Sequence, residues 1–125
     1  MGDVTYLGQL DYSMVALEHT HDLLQQIAAA GWKAPADHPD LDPAHEALLL
    51  REHFTELLRL DSVQQEPAEF RRYLTESESA ARELEKSIQE GAADKVSATF
   101  AKISKSCADC HQQFRDVPLG EKGNR

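Results

Sequence analysis

Two cysteines lie three residues apart near the C-terminus, and a histidine directly follows the second of them in the stretch KISKSCADCHQQFRD. Cys107, Cys110 and His111 carry side chains that can form a redox-active disulfide, bind a metal ion or attach a cofactor covalently. A redox-active pair with this spacing normally lies at the N-terminus of a helix, where the helix dipole lowers the thiol pKa. The helical pattern places this pair near a helix C-terminus instead, and no βαβ pattern surrounds it. A thiol–disulfide function is therefore disfavoured.

A zinc site and simple packing are two further interpretations of the motif. A structural zinc site needs four protein ligands. The remaining histidines form no second ligand pair at matching depth in a bundle: His19, His21, His38, His45 and His53. Two buried cysteines can also pack as small hydrophobic residues, but packing gives the adjoining histidine no role. Both interpretations explain the motif less well than a covalent haem.

A covalently bound haem accounts for all three residues together. Two thiols at this spacing add to the two vinyl groups of the porphyrin, and the histidine that follows reaches the iron as an axial ligand. A buried face at one end of a helix bundle can enclose such a flat, apolar ring. The pattern therefore predicts one covalent haem c on Cys107 and Cys110, with His111 as a ligand of its iron.

Four segments with helical periodicity must position this motif. We expect helices at about residues 4–30, 43–61, 67–90 and 94–116. Asp42 and Pro43 suit the N-cap and the first position of the second helix, while Gly31 and Gly91 end the first and the third. Four helices with short connections predict an all-α fold, an antiparallel up-down-up-down four-helix bundle, in a single haem-binding domain that spans residues 1–125.

Each predicted helix has an apolar stripe that we expect to face the core. Two stripes bear on the motif: Leu7, Leu10, Met14, Leu17, His21 and Leu24 on the first helix, and Val96, Phe100, Ile103, Cys107, Cys110 and Phe114 on the fourth. Both cysteines are therefore predicted to point into the bundle.

The stretch FAKISKSCADCHQQFRD resembles the C-terminal helix of class II c-type cytochromes, namely cytochrome c′ and its low-spin, methionine-ligated relatives. The resemblance covers the whole chain in the number and order of helices, while the specific motif is confined to residues 100–115. It implies that Cys107 and Cys110 hold the haem and that His111 is the proximal ligand, and it suggests a homodimer formed through the first two helices. The chain departs from the family on the first helix, where the family usually carries an arginine near the haem. This chain has no lysine or arginine before Lys33.

The residue that opposes His111 decides between two functions of the iron. In an antiparallel bundle the C-terminal end of the fourth helix lies beside the N-terminal end of the first. This arrangement favours Leu10 and Met14, and it places His21 about 16 Å deeper than Leu10, too far to reach the iron. Met14 matches the position at which low-spin members of the family supply a methionine ligand. A methionine can equally fill a gap in the core, so both roles of Met14 stay open.

The propionate groups of a haem need positively charged partners. The bundle offers Arg71 and Arg72 at the start of the third helix and Arg59 at the end of the second. All three are expected at the haem end of the bundle.

Composition limits the possible partners. A formal net charge of −9 with no run of lysine or arginine argues against nucleic acids and anionic membranes. No apolar stretch approaches the ~20 residues that a membrane span requires. The first residues do not form a secretory signal, so we expect that a signal was removed or that the domain was cut from a longer chain.

The sequence thus predicts an exported, periplasmic monohaem cytochrome that transfers electrons to or from a redox partner protein. No acid–base pair stands out, so the protein is not expected to be an enzyme. If the iron keeps an open position, the alternative is a haem protein that binds a diatomic gas such as NO or CO. A haem-based sensor module cut from a longer chain is a third hypothesis.

Overall fold

Five helices follow one another in the computed structural model, which describes the backbone of residues 2–114 and the side chains of residues 12–114. They are α1 (Gly2–Ala29), α2 (Pro43–Arg59), α3 (Asp61–Gln64), α4 (Ala68–Glu90) and α5 (Ala93–Phe114). The described backbone contains no strand. The four long helices pack antiparallel, with α1 against α2, α2 against α4 and α4 against α5. The predicted all-α, antiparallel four-helix bundle is confirmed.

Local sequence signals fix the ends of the long helices. Asp42 accepts a hydrogen bond from the backbone N–H of Ala44 (3.2 Å), and Pro43 occupies the first position of α2. Gly91 ends α4 in the left-handed conformation, with φ of 71°. The backbone N–H of Ala92 then donates to the carbonyl of Ser87 (3.1 Å), which closes the last turn of α4.

The short helix α3 is a difference from the predicted arrangement. The sequence pattern extended the second helix to about residue 61, but α2 ends at Arg59 and Leu60 has an extended backbone with ψ of 137°. The chain then forms the single turn of α3, which buries Val63 completely in the core. The interruption at Leu60 allows α3 to place Val63 in the core, where α3 contacts α1 and α4.

The core consists of one buried stripe from each long helix. On α1 and α2 it contains Leu17, Leu24, Ile27, Ala47, Leu50, Phe54 and Leu57; on α4 and α5 it contains Phe70, Leu74, Ala81, Leu84, Val96, Phe100, Ile103, Cys110 and Phe114. Met14 and His21, which the pattern placed on the stripe of α1, are only half-buried. They lie at the edge of that stripe, and Thr20 and Ile27 are buried beside it.

Helices α1 and α5 form the loosest side of the bundle. Over their described residues, their backbones approach each other less closely than those of the other neighbouring long helices. Side chains bridge part of the gap, because His21 Nε2 lies 2.9 Å from Ser104 Oγ and the His21 ring stacks on Phe100 at 5.0 Å between centroids. The gap lies beside the stretch of α5 that carries Cys107.

Leu84 provides a test of this core. Its side chain is fully buried on α4, so Leu84→Ala should remove apolar contacts, leave a cavity and cost about 2–5 kcal/mol of unfolding free energy. Urea unfolding followed by circular dichroism measures this change. The exposed neighbour Glu83 is the control, and Glu83→Ala should stay within about 0.5 kcal/mol of the parent protein. Equal effects of the two substitutions would contradict the described packing of α4.

Candidate functional site

The three residues of the CADCH motif that can bind a cofactor share one face of α5, near its C-terminal end. Positions 107, 110 and 111 are neighbours on a helix surface because they are three and four residues apart. Cys110 is buried with 6% exposure, while Cys107 and His111 are half-buried. Both cysteines are free thiols. The motif thus presents two thiols and an imidazole towards the interior of the bundle, as the stripe of α5 predicts.

A narrow apolar crevice adjoins these three residues. Its walls come from all four long helices: Met14, Leu17, Phe54, Tyr73, Leu74, Ser77, Ser106, Cys107, Cys110 and His111. The crevice is nearly closed, with a volume of about 20 Å³. Its two serine hydroxyls, on Ser77 and Ser106, lie 3.0 Å apart and bond to each other. The crevice therefore presents no unpaired hydroxyl, and it brings Met14 of α1 together with the motif of α5.

A wider cleft shares Leu17, Cys107 and His111 with this crevice and opens to the surface between α1 and α5. Its further lining residues are Glu18, His21, Asp22, Ser104 and Ala108, and its volume is about 360 Å³. The crevice and the cleft are adjacent, because Leu17, Cys107 and His111 line both of them. A flat, largely apolar group bound to the thiols of Cys107 and Cys110 could occupy the crevice and the cleft if α1 and α5 move apart.

His21 lies in the open cleft beside the motif. It was expected too deep in the bundle to reach the iron, and the structure places it in the lining of this cleft together with Cys107 and His111. Burial lowers the pKa of His21, and the carboxylates of Asp22 and Glu18 oppose that shift only in part. His21 lies about two turns, or ~10 Å, beyond Met14 along α1, and the expectation that it lies too far to reach the iron stays a prediction. The inner stripe of α1 already contained His21 and was the signal for its position.

Tyr73 and Phe54 are residues of the site that sequence reasoning did not single out. Both line the crevice, and the hydroxyl of Tyr73 donates to Gln113 Oε1 (3.1 Å) at the surface of α5. The Tyr73 ring also packs against Phe114, with 6.3 Å between centroids. Tyr73 therefore forms the wall between the crevice and the solvent on the α4 side. Tyr73 and Leu74 are adjacent on α4, and the packing shows that both side chains line the crevice.

The arginines predicted as propionate partners have other partners in the described structure. Arg71 Nη1 donates to the carbonyls of Gln64 (2.8 Å) and Glu66 (2.6 Å), and so it ties the loop after α3 to α4. Arg72 pairs with Glu69 at 3.2 Å. Neither arginine lines the crevice or the cleft. Their role as counter-charges stays a prediction.

Two other expectations concern residues outside this description. The side chain of Leu10, which was predicted to face the haem beside Met14, lies outside the described residues. The same holds for Arg115, the last residue of the matched motif.

The electrostatic setting of the thiols argues against redox-active cysteines. Burial raises the pKa of Cys107 to about 11, with a smaller contribution from Glu18. Burial also raises the pKa of Cys110 to about 12, and Cys107 and Glu66 add to that shift. Both thiols are protonated at neutral pH, whereas reactive cysteines are thiolates. Among the described residues, no group of three or more histidine, cysteine, aspartate or glutamate side chains is arranged to hold a metal ion.

Comparison with known proteins gives one finding about the chain. Residues 51–115, which are more than half of it, match the family model described as Cytochrome C′. The match includes the second half of α2, all of α3, α4 and α5, and the whole CADCH motif. No curated relative and no solved structure matches the chain closely enough to be compared with it. None of the described helices is long and apolar enough to cross a membrane.

The raised pKa values predict slow alkylation of both thiols in the folded, haem-free chain. At pH 8 a thiol with a pKa of about 11 is a thiolate in roughly one molecule in a thousand, against about one in ten for the ordinary value of 9.0. Iodoacetamide should therefore modify Cys107 about 100-fold more slowly in native buffer than in denaturant, and Cys110 more slowly still. Mass spectrometry of timed samples measures both rates. Similar rates with and without denaturant would contradict the described burial.

Proposed function

The chain belongs to the cytochrome c′ family of haem proteins, and we propose that it is a monohaem c-type cytochrome that transfers electrons. In this proposal Cys107 and Cys110 hold one haem c covalently, and His111 is the proximal ligand of its iron. One observation carries the proposal: the two thiols, the imidazole and the sulfur-bearing side chain of Met14 line a single apolar crevice. The whole chain, residues 1–125, is proposed to form one haem-binding domain.

The thiols suit covalent attachment for a chemical reason. Each thiol adds across one carbon–carbon double bond of a vinyl group. The sulfur forms a bond to one carbon and the thiol proton goes to the other, so attachment needs neither an oxidant nor a reductant. Because Cys107 and Cys110 lie on one face of α5, both thioethers would hold the same edge of the ring. The loose contact between α1 and α5 is where we expect the bundle to separate to admit it.

Met14 is proposed as the second axial ligand, on the side opposite His111. The haem supplies an iron that takes up and releases one electron. Met14 is half-buried and packs against the core, and Leu17 and Phe54 line the crevice beside it. These apolar neighbours exclude water, which favours a thioether ligand over a bound water molecule. A thioether also raises the reduction potential of the iron. Ligation by Met14 would leave no open position, so it supports electron transfer.

A second candidate function follows if Met14 only packs. The wall formed by Met14, Leu17 and Phe54 is apolar, and an iron that faces this wall without a ligand could bind a neutral diatomic gas such as NO or CO. A haem-based sensor module within a longer chain would use the same open position. We propose the electron carrier first because its ligand already lies in the crevice.

The proposal also states that the protein is not an enzyme and where it functions. His21, a titratable group in the open cleft, is engaged with Ser104 and stacked on Phe100, and it does not line the crevice with Met14. We therefore propose a carrier and not an enzyme. Because the haem is covalent, the protein is proposed to be exported and to function in the periplasm with a redox partner protein. Dimerisation through α1 and α2 stays a prediction from the family.

Covalent attachment predicts a specific mass. Protein produced in a host with cytochrome maturation machinery should, after denaturation, have the mass of the chain plus one haem. Cys107→Ala with Cys110→Ala should have the mass of the chain alone, because noncovalent haem is lost on denaturation. An unmodified mass for the parent protein would falsify covalent attachment. Ser106→Ala, a neighbouring substitution that removes no thiol, should keep the haem.

Ligation by Met14 predicts a six-coordinate, low-spin spectrum in the reduced protein and slow or no binding of carbon monoxide. Met14→Ala should make the iron high-spin, allow rapid binding of carbon monoxide and lower the reduction potential by roughly 0.1 V or more, because axial ligands set potentials over a range of about 0.8 V. Val15→Ala is the matched control, since Val15 is 66% exposed on the same helix. A parent protein that is already high-spin and reacts rapidly with carbon monoxide would instead support gas binding.

A further inference from the structure

The outer face of α1 carries an unusual combination of side chains beside the open cleft. Tyr12 and Val15 are 78% and 66% exposed, and they are the large hydrophobic side chains that stand out as exposed in the described part of the chain. Glu18 and Asp22, one and two turns further along, line the cleft that contains Cys107. The spacings of three and four residues place all four on one side of the helix. We call Tyr12, Val15, Glu18 and Asp22 the α1 face.

The charged side chains of α1 are all carboxylates. The first 32 residues contain four carboxylates and no lysine or arginine. None of the described residues that line the cleft is a lysine or arginine. Lys105 of α5 lies on the α4 side, where it lines a surface pocket with Tyr73 and pairs with Asp109 at 2.8 Å. The mouth of the cleft is therefore negative, and an apolar patch lies next to it.

We propose that the α1 face is the docking surface for a basic redox protein, whose lysines or arginines surround an apolar centre of its own. The inference rests on the proposed function, because docking here would bring the partner to the edge of the haem nearest Cys107. Opposite charges steer two proteins into contact and fix their orientation, while the apolar contact of Tyr12 and Val15 slows dissociation. The surface thus supplies a rapid, oriented encounter and a contact that holds the complex long enough for an electron to transfer.

A second copy of this chain fits the α1 face less well than a basic partner does. Self-association through this face would bring the carboxylates of Glu18 and Asp22 from two copies into one contact. Like charges brought together in this way repel each other, and the repulsion disfavours the pair. An anionic membrane is disfavoured for the same reason.

The test uses the haem-loaded protein and a lysine-rich monohaem c-type cytochrome as the probe. Stopped-flow electron transfer is measured at ionic strengths of about 0.01 M and about 0.15 M, where screening differs strongly. Glu18→Gln with Asp22→Asn should slow the second-order rate about threefold to tenfold at the lower ionic strength, because steering depends on local charge. The matched control is Glu83→Gln with Glu90→Gln, which removes the same charge from exposed positions of α4. The control should change the rate less than twofold.

A second variant tests Tyr12 and Val15, the apolar residues of the α1 face. Tyr12→Ser with Val15→Ser should weaken binding of the probe about tenfold in titration calorimetry, while the dependence of the rate on salt stays as in the parent. Equal effects of the α1 and α4 charge variants would overturn the proposal. So would a dimer in sedimentation equilibrium that the Tyr12 and Val15 substitutions dissociate, since a second copy would then be the occupant of the face.

The docking proposal and the proposed function fail in different ways. Calorimetric binding of the probe to the α1 face does not depend on electron transfer by the haem. A protein without covalent haem that still binds the probe through Glu18 and Asp22 would refute the proposed function alone. A protein with covalent haem that reacts with the probe at an unchanged rate when Glu18 and Asp22 are substituted would refute the docking surface alone.

Discussion

The apolar packing of α2, α4 and α5 is the constraint on which the rest of the structure depends. These three helices share the tightest contacts of the bundle, and they bury Phe54, Leu84 and Ile103 almost completely. Because this part is closely packed, it holds α5 in one orientation and so fixes the directions of both thiols. Helix α1 completes the bundle through a looser contact with α5, and the difference between tight and loose sides determines where a large group can enter.

The same stripe of α5 serves the core and the site. Val96, Phe100 and Ile103 bury the first half of the helix, and the thiol of Cys110 continues that row with only 6% exposure. Burial has an electrostatic consequence, since it keeps both thiols protonated and unreactive towards redox exchange. A buried thiol that packs as a small hydrophobic side chain therefore stabilises the haem-free bundle. The same thiol lines the crevice in which the haem is proposed to bind. The structural role and the proposed chemical role of these cysteines do not compete.

Much of the fold could be predicted because it follows from local rules. Periodicity set the stripe of α5, and Asp42 and Gly91 mark helix ends by their hydrogen bonding and backbone conformation. The rest depends on contacts between distant segments. The turn of α3 exists because Val63 is buried against other helices, and the position of His21 follows from the bridge to Ser104, 83 residues away. Arg71 likewise bonds loop carbonyls that no sequence pattern identifies.

The absence of an arginine from α1 affects both the interior of the site and its surface. A cation at this helix would pair with a propionate and would also neutralise the mouth of the cleft. Without such a cation, Glu18 and Asp22 make the electrostatic potential at the mouth of the cleft negative. A negative cleft with walls of low dielectric constant repels anions. If a haem is bound here, the carboxylates of Glu18 and Asp22 would disfavour a propionate beside them, because like charges repel. The absence of a basic residue before Lys33 thus bears on both proposals, since it removes one expected partner of a propionate and leaves the mouth of the cleft negative, which favours positively charged partners.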